Sequence, residues 1–318
     1  MNLAERARGA ILGVLAGDAL GVPVEGMGRD EFEPVTSMRG GGSHLQPAGT
    51  FSDDGSMTLC TIESLVEKKG FDANDVGDRL VRFYFNRHWT ARHVMFGVGF
   101  TTREAIIRLR DGALAQKSGL DDEDSNGNGP LTRMAPIVLY AHARALSPRE
   151  TVDLVHAACK ITHAHPRAQL VAGFYALLAR ALLDGKSLAG ALDFMRAQAM
   201  ELYNSEPWHD EYRHVQQLME RNPRNVDRDA VKSTGYCVDT LEAALWCLAR
   251  EKPLHDTVLE AVNLGDDTDS VGSVVGGLCG MMHEPTAVPE DWRLTLARIE
   301  EVEALIAKFQ ALLGEARS

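Results

Sequence analysis

The chain has 318 residues, 45% hydrophobic and 25% charged, the balance of an ordinary soluble globular protein. A formal net charge of −12 excludes nucleic-acid recognition through a basic face. No stretch reaches about 18 uncharged apolar residues, so no membrane span is expected. The first residues lack the pattern of a secretory leader, and the five cysteines are odd in number, scattered and without a Cys-x-x-Cys pair. They read as buried thiols of a reducing cytoplasm.

Residues 3–21 form the first predicted helix, with Gly9, Gly13, Gly17 and Gly21 on one face. Each glycine costs a helix about 1 kcal/mol against alanine, so this ridge implies the close approach of another backbone. Gly272, Gly276 and Gly280 repeat the spacing near the other end of the chain, and the two ridges are expected to lie together. Asp18 ends the first ridge, and Val22-Pro23-Val24-Glu25 follows; spacing alone makes Glu25 a solvated loop carboxylate. Residues 26–50, rich in glycine and proline and without periodicity, read as a long surface loop of the kind that borders sites.

Ser52-Asp53-Asp54-Gly55-Ser56 is an acid-plus-hydroxyl cluster leading into an apolar-periodic run. Helical pattern extends over 57–118, with Leu80, Val81, Tyr84, Phe85, Ala105, Ile106 and Leu109 as core positions, interrupted at Gly97-Val98-Gly99. In the loop from Gly119 to Pro130, Asp122, Asp124, Asn126 and Gly127 match four positions of a calcium-binding EF-hand. Arg133 stands where that motif needs a bidentate Glu, which rejects the reading. The neutral half, Gly127-Asn128-Gly129, has the composition of an anion-binding nest of backbone N–H groups.

Three helices are expected at Ile137–Ala145, Thr151–Ile161 and Leu170–Leu183, the second opened by the cap Ser147-Pro148-Arg149-Glu150. His163-Ala164-His165 lacks a partner cluster for a transition metal and reads as structural or ligand-contacting. Residues 201–234 are polar and read as an insertion or loop with a short helix. A helical stripe runs from Tyr236 to Leu248, and an amphipathic helix covers Glu301–Leu313. Period-two alternation is nearly absent, so an all-α fold of one domain, residues 1–318, is predicted.

The second acid cluster is Gly265-Asp266-Asp267-Thr268-Asp269-Ser270-Val271-Gly272. Asp267 and Asp269 would point about 200° apart on one straight helix, so they converge only where a loop turns into a helix. Two such clusters held together repel unless divalent cations lie between them. Hard oxygen ligands suit magnesium, manganese or calcium rather than zinc, which makes a dinuclear site the first expectation.

These residues carry a resemblance. Gly17-Asp18-Ala19-Leu20-Gly21 with Glu25, Ser52-Asp53-Asp54, and Gly127-Asn128-Gly129 with Arg133 and Pro136 resemble the ADP-ribosylglycohydrolase family. So do Thr162-His163, Gly235 to Trp246, and Asn263 to Gly272. The likeness runs over residues 9–280 in the family's order and is closest to the bacterial branch that contains dinitrogenase reductase-activating glycohydrolase. It implies an all-α fold holding two Mg2+ or Mn2+ ions, with Ser52, Asp53, Asp54, Asp267, Asp269 and Ser270 as metal ligands. It also implies cleavage of the glycosidic bond between ADP-ribose and a protein side chain or small acceptor. The sequence leaves the oligomeric state open, with a monomer favoured.

By the same likeness Glu25 is the catalytic glutamate, and Gly127, Asn128 and Gly129 cradle the diphosphate. His163 would lie beside the substrate, Tyr236 near its nucleoside end, and Gly97 and Gly99 in the substrate-binding set. This chain departs from the arginine-directed pattern at Phe96-Gly97-Val98-Gly99-Phe100-Thr101, where Gly97 replaces an Asp and Phe100 an Asn. Asp266 replaces a usual Gly. Two other classes fit the same residues: a non-catalytic ADP-ribose binder, and a dinuclear phosphoesterase that would release AMP. As a hydrolase, the protein would reverse mono-ADP-ribosylation of a regulated enzyme or of a toxin's target.

Overall fold

The computed structural model describes residues 1–315, and among them it contains sixteen α-helices, five 3-10 turns and isolated β-bridges in place of strands. The helices start where the sequence caps them. Asn2 and Glu5 close a reciprocal capping box on helix Leu3–Gly21, and Ser147 and Glu150 do the same for helix Pro148–Cys159. The expected helices at 137–145, 151–161 and 170–183 appear as Ala135–Ala143, Pro148–Cys159 and Pro166–Leu183.

At the centre, helix Leu3–Gly21 lies against helix Thr268–Met282 along the two glycine ridges. A Cβ on Gly9 would stand 2.6 Å from the Gly280 carbonyl oxygen, and one on Gly272 2.5 Å from that of Gly17. On Gly13 it would overlap the backbone of Gly276. The backbones touch directly, which explains why each ridge bears the helix-weakening cost of glycine. Leu3–Val24 reaches the length and mean hydropathy of a membrane span although Asp18 interrupts it, and 94% of its most apolar window is buried inside the protein. It is a core helix.

Helices Leu254–Val262, Cys237–Leu248 and Pro166–Leu183 pack around Thr268–Met282, while Ile299–Glu315, Ala135–Ala143 and Asp53–Lys68 pack around the first helix. On helix Ala73–Asn86 the inward face is Val76, Arg79, Leu80 and Phe83. Phe85, expected in the core, is instead 41% exposed under the Arg110 guanidinium, because it falls on the opposite side of that stripe. Residues 203–234 form short 3-10 turns and the helix Gln216–Glu220, and Trp208 there packs tilted against buried His156 and edge-on against buried Tyr203. All five cysteines are buried and unpaired.

Candidate active site

Both central helices end at one cavity of about 250 Å3. The first acid cluster opens helix Asp53–Lys68: Ser52 is its N-cap, its Oγ accepting from the Asp54 amide at 3.3 Å, and Asp53 and Asp54 occupy the first turn. Carboxylates are favoured there by the helix dipole. Beneath them sits Asp18, fully buried, whose two oxygens accept from the Ser52 amide at 2.8 Å and the Gly55 amide at 2.7 Å. Asp18 is thus part of the site's foundation. A lone acid at the end of a buried glycine ridge was its signal in the sequence.

The second cluster opens helix Thr268–Met282. Gly265 and Asp266 both take positive φ, 82° and 59°, and swing Asp267 to the N-cap position while Asp269 stays in the first turn. This is the change of direction that lets the two carboxylates converge. Asp266 occupies a left-handed position that glycine takes freely and aspartate tolerates better than most residues. Its amide donates to the Met27 carbonyl and its carbonyl accepts from the Gly26 amide, both at 2.8 Å, so the turn grips the segment beside Glu25. Ligand atoms of Glu25, Asp267 and Asp269 all lie within 4.8 Å of one another.

Gly97, at φ 84°, closes one wall: a Cβ there would overlap Asp53 Oδ1. Gly127, Asn128, Gly129 and His163 also line the cavity. Thr162 Oγ1 accepts from Arg133 Nη2 and bonds His163 Nδ1, each at 2.8 Å, which aims the other edge of the ring at Gly127. Arg133 Nη1 also donates to the Gly129 carbonyl at 2.8 Å. Asn128 departs from its expected part in a nest. Its backbone N–H already donates to the Gly235 carbonyl, and its side-chain amide donates to Asp267 Oδ2 at 2.7 Å. It holds a carboxylate in place.

Every site residue expected from the sequence lines this cavity except Ser52, which lies under Asp53, and Tyr236. Tyr236 pairs its backbone with Gly127 and sets its ring beside Arg167, off the cavity wall. The wall also includes Phe100, Thr101, Thr102, Asp124 and Gly235, none of which periodicity marked out. His44, from the featureless loop, bonds Glu25 at 2.7 Å.

Charge dominates the electrostatics. Burial and then repulsion from Asp267 push Asp54 up to about 7. Asp53 is held well above the usual range by burial and then Asp54, Asp269 by burial and then Glu25, and Asp18 by burial and then Asp54. Glu25 is raised by burial, against the pull of His44. Burial, with Arg133 nearby, drives His163 down to about 3, so it is neutral. Among the described residues lining the cavity, none is Lys or Arg. Asp54 Oδ2 is buried with no hydrogen-bond partner.

With this geometry the comparisons with known proteins agree. The sequence matches the ADP-ribosylglycohydrolase family over residues 1–318, and the chain belongs to that family. It is accordingly an enzyme of the class that hydrolyses glycosidic bonds. It is 33% identical to ADP-ribosylarginine hydrolase Tri1 of Pseudomonas putida, over 95% of this chain and 76% of that one. With ADP-ribosyl-[dinitrogen reductase] glycohydrolase of Rhodospirillum rubrum it shares 26% identity over 98% and 97%. A solved structure of an ADP-ribosylglycohydrolase-related protein complex superposes with a TM-score of 0.78 at 32% identity, covering 98% of this chain and 99% of the other.

Proposed function

We propose that the protein is a metal-dependent ADP-ribosyl hydrolase that removes ADP-ribose from a modified arginine side chain, reversing mono-ADP-ribosylation. The observation that carries the reading is the convergence of Glu25, Asp53, Asp54, Asp267 and Asp269 in one cavity whose described lining holds no basic side chain. The unpartnered Asp54 Oδ2 fits a bound cation, as does a donor set made of carboxylates and the Ser52 and Ser270 hydroxyls. Those six residues, Ser52, Asp53, Asp54, Asp267, Asp269 and Ser270, would hold two Mg2+ or Mn2+ ions. When bound, such ions supply the charge that grips vicinal ribose hydroxyls and acidifies a water.

The remaining work falls to the chain. Scission of a glycosidic bond passes through an oxocarbenium-like state, which the surrounding carboxylates stabilise. Glu25, raised by burial, handles the proton at the bond being broken. Gly127 and Gly129 leave room for the diphosphate against His163, whose neutral ring contacts a polar ligand without adding charge. Arginine as acceptor is favoured by the 33%-identical relative named for that substrate. Recognition of its guanidinium must then come from wall residues other than Gly97, where no side chain fits beside Asp53. In the cell, the substrate would be a regulated enzyme or the target of an ADP-ribosylating toxin.

Mass spectrometry of products from an ADP-ribosyl-arginine protein and an ADP-ribosyl-serine peptide tests this, each with magnesium, manganese or chelator. Intact ADP-ribose released only with metal, and lost in Glu25→Gln, is the expected result. AMP as product would sink the reading in favour of a phosphoesterase, and tight binding without turnover would leave a binder.

A further inference from the structure

Glu25 follows the 3-10 turn Val22–Val24, and the pairing of Gly26 with Asp266 fixes its backbone but not its side chain. A glutamate side chain has three rotatable bonds, so its carboxylate stays within 4.8 Å of the Asp267 and Asp269 ligand atoms only if its rotamer is held. Two side chains meet it: Asp269 comes within hydrogen-bonding reach from inside the cavity, and on the other side His44 Nε2 stands 2.7 Å from Glu25 Oε2, with both side chains of that pair 25% exposed.

His44 is itself fixed from two sides. It lies in the short loop closed by the pairing of Gly41 with Gln46, and its carbonyl accepts from the Gln46 side chain at 2.9 Å. Its ring centroid is 4.8 Å from that of Phe96, the residue before Gly97. The imidazole does not itself line the cavity. It joins Glu25 to the strand of backbone that forms the wall against Asp53, two parts of the site that otherwise come from separate segments.

We infer that His44 is a positioning residue for the hydrolysis: it donates from Nε2 to one oxygen of Glu25, holding the other oxygen in the cavity beside Asp267 and Asp269, while its ring braces Phe96 and the Gly97 wall. The inference rests on Glu25 being the acid–base group of the proposed reaction. It assigns a function to the residue 26–50 loop that composition could not supply. Partners that orient a reacting group in this way typically affect activity by about 10- to 100-fold.

Three variants separate the donor from the ring. His44→Phe keeps a ring against Phe96 without the donor, His44→Gln offers an amide donor at similar reach without the ring, and His44→Ala has neither. The expected result is a fall in kcat of about 10- to 100-fold for Phe and Ala, with most of it restored by Gln. KM, ADP-ribose affinity by calorimetry and the melting temperature of His44→Phe should stay at their parent values. Full kcat in His44→Phe would overturn the inference, as would a loss that tracks the melting temperature and is not restored by Gln. Crystal structures of the parent and His44→Phe read the same contact without turnover. A Glu25 carboxylate swung away from Asp269 in the variant supports the inference, and an unmoved one overturns it. Should the parent hydrolyse neither conjugate, the proposed activity falls, and this crystallographic comparison still decides whether His44 sets the position of Glu25.

Discussion

Around Ser52–Asp54 the acids are held by a side chain, because Asp18 fills the helix N-terminus beneath them and accepts two of its free amides. Around Asp267–Ser270 the backbone does most of the holding, with the Asn128 side chain added on Asp267: a turn at positive φ, two hydrogen bonds to residues 26 and 27, and Gly21 packed against Asp269. Both clusters lie at helix N-termini and face one cavity, but they should fail differently. A side-chain support can be weakened in steps. A backbone contact between packed helices has no room to give.

The sharpest way to break the comparison is Gly21→Ala, since the new Cβ would overlap the backbone of Thr268 and Asp269. Overpacking commonly costs about 1–3 kcal/mol and more where backbone must move. A loss of at least about 3 kcal/mol is expected by urea unfolding, with ADP-ribose binding abolished. Near-parental stability would show that the second cluster is as adaptable as the first.

Asp18→Ala comes next. It leaves the Ser52 and Gly55 amides buried without an acceptor, at about 1–3 kcal/mol for each unsatisfied group. Removal of the repulsion between Asp18 and Asp54 offsets part of that. A net loss of about 2 kcal/mol in urea unfolding is expected, and less in Asp18→Asn, which keeps one acceptor oxygen. Equal losses in the two variants would mean that charge, not hydrogen bonding, sets the first cluster.

The smallest effect concerns the part of the cavity wall that carries His163. His163, on that wall, and His156, remote from it, are each held neutral by burial, at about 3. Between the ordinary histidine value of 6.5 and about 3 the unfolded chain binds protons that the folded chain does not, so stability falls as pH drops through that window. From pH 7 to pH 6 each histidine should remove less than about 1 kcal/mol. Equilibrium unfolding of His163→Asn across this range should show a shallower slope than the parent. An unchanged slope would mean that the wall takes up protons as freely as solvent does.

The parts legible in the sequence were those with a fixed spacing. Glycine every fourth residue announced the contact of two backbones, and acids two apart between a loop and a helix announced a turn. What stayed hidden depends on distant segments. His44 lies in a loop with no period, and nothing local ties it to Glu25. Asn128 looked like a ligand cradle by composition, yet its amides were already committed to Gly235 and Asp267. Tyr236 carried a resemblance, but its position at the start of helix Cys237–Leu248 turns the ring toward Arg167. Phe85 misled because one residue's rotation on a helix separates core from solvent.

The central helix pair also dictates when the site comes into being. Thr268 Oγ1 donates to the Gly21 carbonyl across 247 positions of sequence. Contacts of such separation carry a large loop-closure cost and form late, after local helices are in place. The first acid cluster is synthesised well before the second, and the carboxylates meet only when helix Thr268–Met282 docks. Any form of the chain in which that helix is undocked lacks half of its carboxylates, so the site depends on the central helix pair being closed.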